Sequence, residues 1–205
     1  MKKYFVTAIG TDSGKTVVST ILAHALQADY WKPIQCGTPK DSDTVFKLLR
    51  SRHSIIYDEA YFLKSPMSPH AAAKIENTTI DLGQIKTPPT DGNDLIIEGA
   101  GGVLVPLNDQ DFVIDLAAQL DAEVVLVSNH YLGSINHTLL TINELKRKNI
   151  KVKGIIFNGS ENPYTEEIIL KHSGYKSLLR INKEENLNED TINKYAIKLF
   201  ESWNE

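Results

Sequence analysis

The residues whose types and spacing could do chemistry begin with Gly14-Lys15-Thr16. A lysine and a hydroxyl side by side behind a glycine suit a polyphosphate. The ammonium reaches the β- and γ-phosphates and the hydroxyl reaches a Mg²⁺ ion. The flanks agree. Tyr4-Phe5-Val6 reads as a buried strand, Thr7 to Ser13 as a loop of small residues, and Val17 to Leu26 as a helix. Strand, loop, Gly-Lys-Thr and helix make a P-loop, in which backbone N–H groups and the helix start face anionic oxygens. The strict pattern wants glycine where Ile9 stands. Read from Ala8, this loop is one residue longer than the standard form.

Two further polar residues interrupt apolar runs. Glu98 closes Asp94-Leu95-Ile96-Ile97 and is followed by Gly99-Ala100-Gly101-Gly102. A carboxylate there can hold Mg²⁺, the acidic partner a P-loop enzyme needs. The glycines let backbone approach a ligand. Lys32 stands before Pro33, which forces it into an extended conformation and aims it at the carboxyl edge of a sheet. Two lysines at one site would suit a substrate that gains negative charge during reaction. Taken alone, Lys32 also reads as an ordinary surface lysine. Asp41 and Asp43 both read as capping carboxylates at a helix start.

The elements that must position these groups alternate. Strands are expected near 3–8, 30–34, 94–98, 123–128 and 152–157. Helices are expected near 15–28, 43–50, 112–120 and 134–148, with a proline-started helix at Ser68-Pro69-His70. The helix at 43–50 would bury Val45, Phe46, Leu48 and Leu49. A C-terminal helix would bury Ile192, Tyr195, Ala196, Leu199, Phe200 and Trp203. Short apolar strands between helices predict an α/β fold, with one mostly parallel sheet flanked by helices and ligands at its carboxyl edge. One domain over residues 1–205 is expected from the length. A net charge of −4 without like-charged blocks argues against a nucleic-acid surface. The sole cysteine, Cys36, excludes an internal disulfide and favours the cytoplasm, and no apolar run suggests a membrane span.

Ala8 to Thr16, Lys32-Pro33, Gly37, Ser42-Asp43, Ser68-Pro69-His70, Glu98 to Gly102 and Leu132-Gly133-Ser134-Ile135-Asn136-His137 occur in that order. Together they resemble the dethiobiotin synthetases, which share the longer P-loop. The resemblance covers residue 4 to about 160. It implies a P-loop NTPase-type fold and an ATP- and Mg²⁺-dependent ring closure on 7,8-diaminopelargonic acid with CO₂. It implies Thr16, Asp43 and Glu98 as metal ligands, with Lys15 and Lys32 as catalytic groups. Thr11, Asp12, Ser13 and Gly14 would line the nucleotide and Asn158 would read adenine. Lys32, Cys36 and Gly101 would contact substrate. Gly133, Ser134 and Asn136, at a helix start rich in free N–H groups, would seat the substrate's carboxylate from a neighbouring subunit. That implies a homodimer.

Ala8 stands where the family has a glycine, which is tolerable at negative φ. Cys36 stands where the family commonly has a hydroxyl, and a thiol is the weaker donor. His70 and His137 could touch substrate or serve structure. Two other readings exist. A P-loop switch ATPase of the partitioning or septum-placement type would carry a lysine inside the loop, and residues 9–13 hold none. An amidotransferase-type synthase would need a glutaminase cysteine, and Cys36 precedes the metal carboxylate.

Overall fold

The computed structural model describes residues 1–49 and 53–203. Its main sheet has seven strands. These are β1 (Lys3–Ala8), β2 (Asp29–Trp31), β4 (Ile56–Tyr57), β6 (Leu95–Gly102), β7 (Glu123–Asn129), β8 (Val152–Asn158) and β9 (Ser177–Ile181), in the spatial order β4-β2-β6-β1-β7-β8-β9. Every neighbouring pair is parallel. Parallel strands are buried on both faces, and so their sequences are continuous apolar runs rather than alternating ones.

The side-chain alternation divides the core in two. Tyr4, Val6, Tyr30, Ile96, Val125 and Val127 pack on one face. There they meet α1 (Lys15–Leu26), α2 (Asp41–Leu49) and α7 (Glu189–Trp203) through Val18, Ile21, Leu22, Val45, Tyr195 and Leu199. Phe5, Leu95, Ile97, Val124 and Leu126 point the other way. That face is covered by α3 (Pro69–Ile75), α4 (Val113–Gln119), α5 (Ser134–Arg147) and α6 (Pro163–Ser173).

Four sequence expectations change. The strand expected over 94–98 does not close at Glu98 but runs on through Gly99-Ala100-Gly101-Gly102, which continue beside β1 instead of forming a turn. The strand expected over 30–34 breaks at Lys32-Pro33, because proline has no N–H for the ladder. The chain resumes as β3 (Ile34–Cys36), which pairs with β5 (Tyr61–Leu63) in a separate two-stranded sheet. Phe46 and Phe200 were expected to be buried but are 73% and 58% exposed. Arg50, the expected end of the second helix, lies outside the described residues.

Candidate active site

The loop between β1 and α1 has P-loop geometry. Asp12 and Gly14 take left-handed backbone conformations, with φ of 56° and 88°. Ala8 ends β1 and is not among the left-handed residues, so its methyl group is unstrained there. The Ser13 hydroxyl and the Lys15 ammonium both donate to the Gly10 carbonyl, at 3.1 and 3.2 Å. Asn158, at the end of β8, donates from Nδ2 to the Ser13 carbonyl at 2.9 Å. A Cβ on Gly14 would lie 2.2 Å from that Nδ2. The close approach and the positive φ both require glycine at this position.

A buried charge cluster lies beside the loop. Glu98 is 1% exposed, and its Oε1 accepts from the Thr16 hydroxyl at 2.9 Å and the Lys32 ammonium at 3.1 Å. Its Oε2 accepts from the Tyr30 hydroxyl at 3.0 Å. Lys32 also donates to Asp41. Burial lowers the pKa of Lys32, but Glu98 and Asp41 outweigh it and hold the value above the ordinary lysine range. At Lys15 burial dominates and lowers the pKa; Glu98 opposes the shift and Lys32 adds to it. Burial and Glu98 push Tyr30 well above the usual tyrosine value. Burial raises the Cys36 thiol to about 11.

All of these groups but Tyr30 line one cleft of about 760 Å³ at the carboxyl edge of the sheet. Of the residues singled out from sequence, Thr11, Asp12, Gly14, Lys15, Thr16, Lys32, Cys36, Glu98 and Gly101 line it together. Ser13 is buried behind the loop, and Asn158 packs against the loop backbone. Gly133 and Asn136 are exposed at the start of α5, Ser134 is buried there, and none of the three lines this cleft. His70 is exposed, and His137 pairs with the Tyr131 hydroxyl at 2.6 Å.

Asp43 is not brought to the cleft. It is exposed, and Asp41 is the carboxylate that faces Lys32. Residues two apart on a helix point about 200° apart, so only one of this pair can face inward. Sequence reasoning gave Asp41 to capping, and the signal that could have raised it was its company with Asp43 in the first turn. Tyr30 also went unread, because an aromatic residue inside a strand reads as core.

The comparisons agree with this geometry. A family model described as an AAA domain matches residues 2–191. The ATP-dependent dethiobiotin synthetase BioD of Cytophaga hutchinsonii is 64% identical, covering 100% of both chains. The chain belongs to the dethiobiotin synthetase family. The synthetase of Christiangramia forsetii is 50% identical, covering 96% of this chain and 95% of its own. Among solved structures, the MinD cell division protein of Aquifex aeolicus matches with a TM-score of 0.61 at 15% identity, covering 98% of this chain and 96% of that one. A ParA family ATPase of Chlorobium tepidum matches at 0.59 and 17%, covering 98% and 96%. At such low identity these two show the fold alone, the P-loop NTPase type that this dethiobiotin synthetase family member shares.

Proposed function

We propose that this family member closes the cyclic urea of dethiobiotin on 7,8-diaminopelargonic acid, using CO₂ and ATP. One amine adds to CO₂, loses a proton and becomes a carbamate. A carbamate oxygen attacks the γ-phosphorus and ADP leaves. The second amine then attacks the carbonyl of the resulting carbamic–phosphoric anhydride, phosphate leaves and the ring closes. The observation that carries this is the convergence of Lys15, Lys32, Thr16 and Glu98 on one cleft.

An amine–CO₂ adduct is an anion that must approach a polyanion. Lys32, seated between Glu98 and Asp41 with its charge secured, is the group that would neutralise the carbamate. Lys15 would follow the transferring phosphoryl group, exchanging the Gly10 carbonyl for a phosphate oxygen. Thr16 Oγ1 and Glu98 Oε1 are hard oxygen donors 2.9 Å apart, a donor set that fits Mg²⁺. When bound, Mg²⁺ supplies charge neutralisation at the β- and γ-phosphates. Asp43 would join these ligands only through a rotation of the first turn of α2, which would carry Asp41 away from Lys32. Asn158 would read the base beside the loop it already braces.

The α5 start would seat the substrate carboxylate for the site of a second copy, which makes the working unit a homodimer. Support comes from its exposure: Leu132 is fully exposed and Tyr131 and Ile135 are 43% and 38% exposed beside Gly133, away from this chain's own cleft. The test is phosphate release with ATP, Mg²⁺, bicarbonate and diaminopelargonic acid. Release that requires the diamine supports the synthetase reaction. Release that ignores it favours a switch ATPase.

A further inference from the structure

We infer that Tyr30 is a positioning residue for the metal carboxylate: its hydroxyl fixes the orientation in which Glu98 presents an oxygen to Thr16. This rests on the metal role given to Glu98 above. The placement follows from register. Tyr30 on β2 is paired with Ile96 on β6, and side chains two residues on share a face. Tyr30, Ile96 and Glu98 therefore all point toward α1, and the Lys32 ammonium reaches Glu98 from beyond the end of β2. Tyr30 is 0% exposed and packed among the residues beneath that helix, so its ring has no freedom to swing. Its hydroxyl ends 3.0 Å from Glu98 Oε2, on the opposite side of the carboxylate from Thr16.

The two oxygens of Glu98 thus have different tasks. Oε2 is tied down from below by a neutral donor that brings no charge to the cleft. Oε1 is left toward Thr16, Lys32 and the phosphate loop. A glutamate carboxylate can rotate about its terminal torsion, which is broad. A phenol locked in the core removes that freedom. Outer partners of this kind orient metal ligands, and losing one typically lowers metal affinity by about 10- to 100-fold.

Tyr30→Phe tests this, since it removes one oxygen and keeps the packing. Mg²⁺ is titrated against the purified protein with ADP, by calorimetry, and separately against turnover. The expected result is a half-saturating Mg²⁺ concentration raised about tenfold or more, with metal-free ADP affinity changed less than about twofold. Turnover should recover as Mg²⁺ is raised. An unchanged Mg²⁺ titration, or a turnover deficit that Mg²⁺ does not relieve, overturns the inference. Glu98→Gln separates the two levels. If it weakens Mg²⁺ binding and Tyr30→Phe does not, only the positioning role falls. If Glu98→Gln leaves Mg²⁺ binding intact, the metal role of Glu98 falls as well.

Discussion

Replacing Lys32 by methionine is the sharpest test of the site, because the stem stays packed and only the charge goes. The ammonium lies 3.1 Å from Glu98 Oε1 and is 5% exposed, so little water screens it. At an effective dielectric of about 20, that separation gives roughly 5 kcal/mol of attraction. Removing one partner of such a buried pair costs about 3–5 kcal/mol in stability. Thr16 and Tyr30 still donate to Glu98, which places the expected cost near the lower end. For a chain of this size that is a drop in melting temperature of about 6–12 °C, measurable by calorimetry and small enough to assay the variant at 25 °C. The sign with pH follows from the raised pKa of Lys32. Its stabilisation is fully present below the unfolded value, about 10.5, and fades as pH rises through the folded value. The deficit of Lys32→Met should therefore be flat from pH 6 to 9 and shrink only as the pH rises past about 10.5. In turnover, losing a preorganised positive charge should cost about 10²–10³-fold. ADP affinity should change only a few-fold, since Lys15 and the loop amides remain. Turnover within threefold of the parent at saturating substrates would refute the charge-neutralising role. An equal fall in ADP affinity would move Lys32 to nucleotide binding instead.

Gly14→Ala should lower ADP affinity at least tenfold, because φ of 88° strains an L residue and its methyl group would displace the Asn158 amide. In an Asn158→Ala background Gly14→Ala should still lower ADP affinity, though by less, since the backbone strain remains; no loss in that background, by calorimetric titration, would contradict it. Cys36 should alkylate slowly at pH 8, about a hundredfold more slowly than a thiol of ordinary pKa, with the rate climbing until about pH 11. Iodoacetamide kinetics followed by mass spectrometry check this, and the diamine should protect the thiol, which lines the cleft. Leu132→Asp should yield a monomer by light scattering, with ADP binding intact and turnover lost; a fully active monomer would sink the shared carboxylate seat.

What was legible in the sequence was whatever interrupts an apolar run. Glu98 after Leu95-Ile96-Ile97 and Lys32 before Pro33 stand out because a charged group that follows a buried apolar run needs a reason, and both line the cleft. What depends on rotation about an axis was not legible. Asp41 and Asp43 share a helical turn, and only the phase of α2 decides which one faces Lys32. Phe46 and Phe200 fit an apolar period yet are exposed, since the period gives a face its centre and not its width. The helix α6 escaped because it is mostly polar, with Ile169 and Ser173 its buried residues, and β9 because it is a short strand. Tyr30 shows its hydroxyl's use only once β2 is registered against β6.

Likeness of fold reaches further than likeness of sequence here. The MinD and ParA-type structures share the fold at 15% and 17% identity. A sheet and a loop suffice to hold a nucleotide, and many chemistries can be built on that frame. The groups that would turn a bound nucleotide into a phosphoryl donor for a carbamate lie on other strands. Lys32 follows β2, Glu98 lies within β6, and both reach the loop because β6 sits between β2 and β1 in the sheet. With β6 in the middle, the carboxylate that would hold the metal and the lysine that would hold the substrate are neighbours by construction. The cleft in front of them extends along β3, Gly37-Thr38-Pro39 and the turn at Pro66-Met67-Ser68, which would leave room for a second reactant beside the phosphates. A synthetase that joins a second reactant to a phosphoryl group would need such room, and the cleft supplies it next to Lys32 and the phosphate loop.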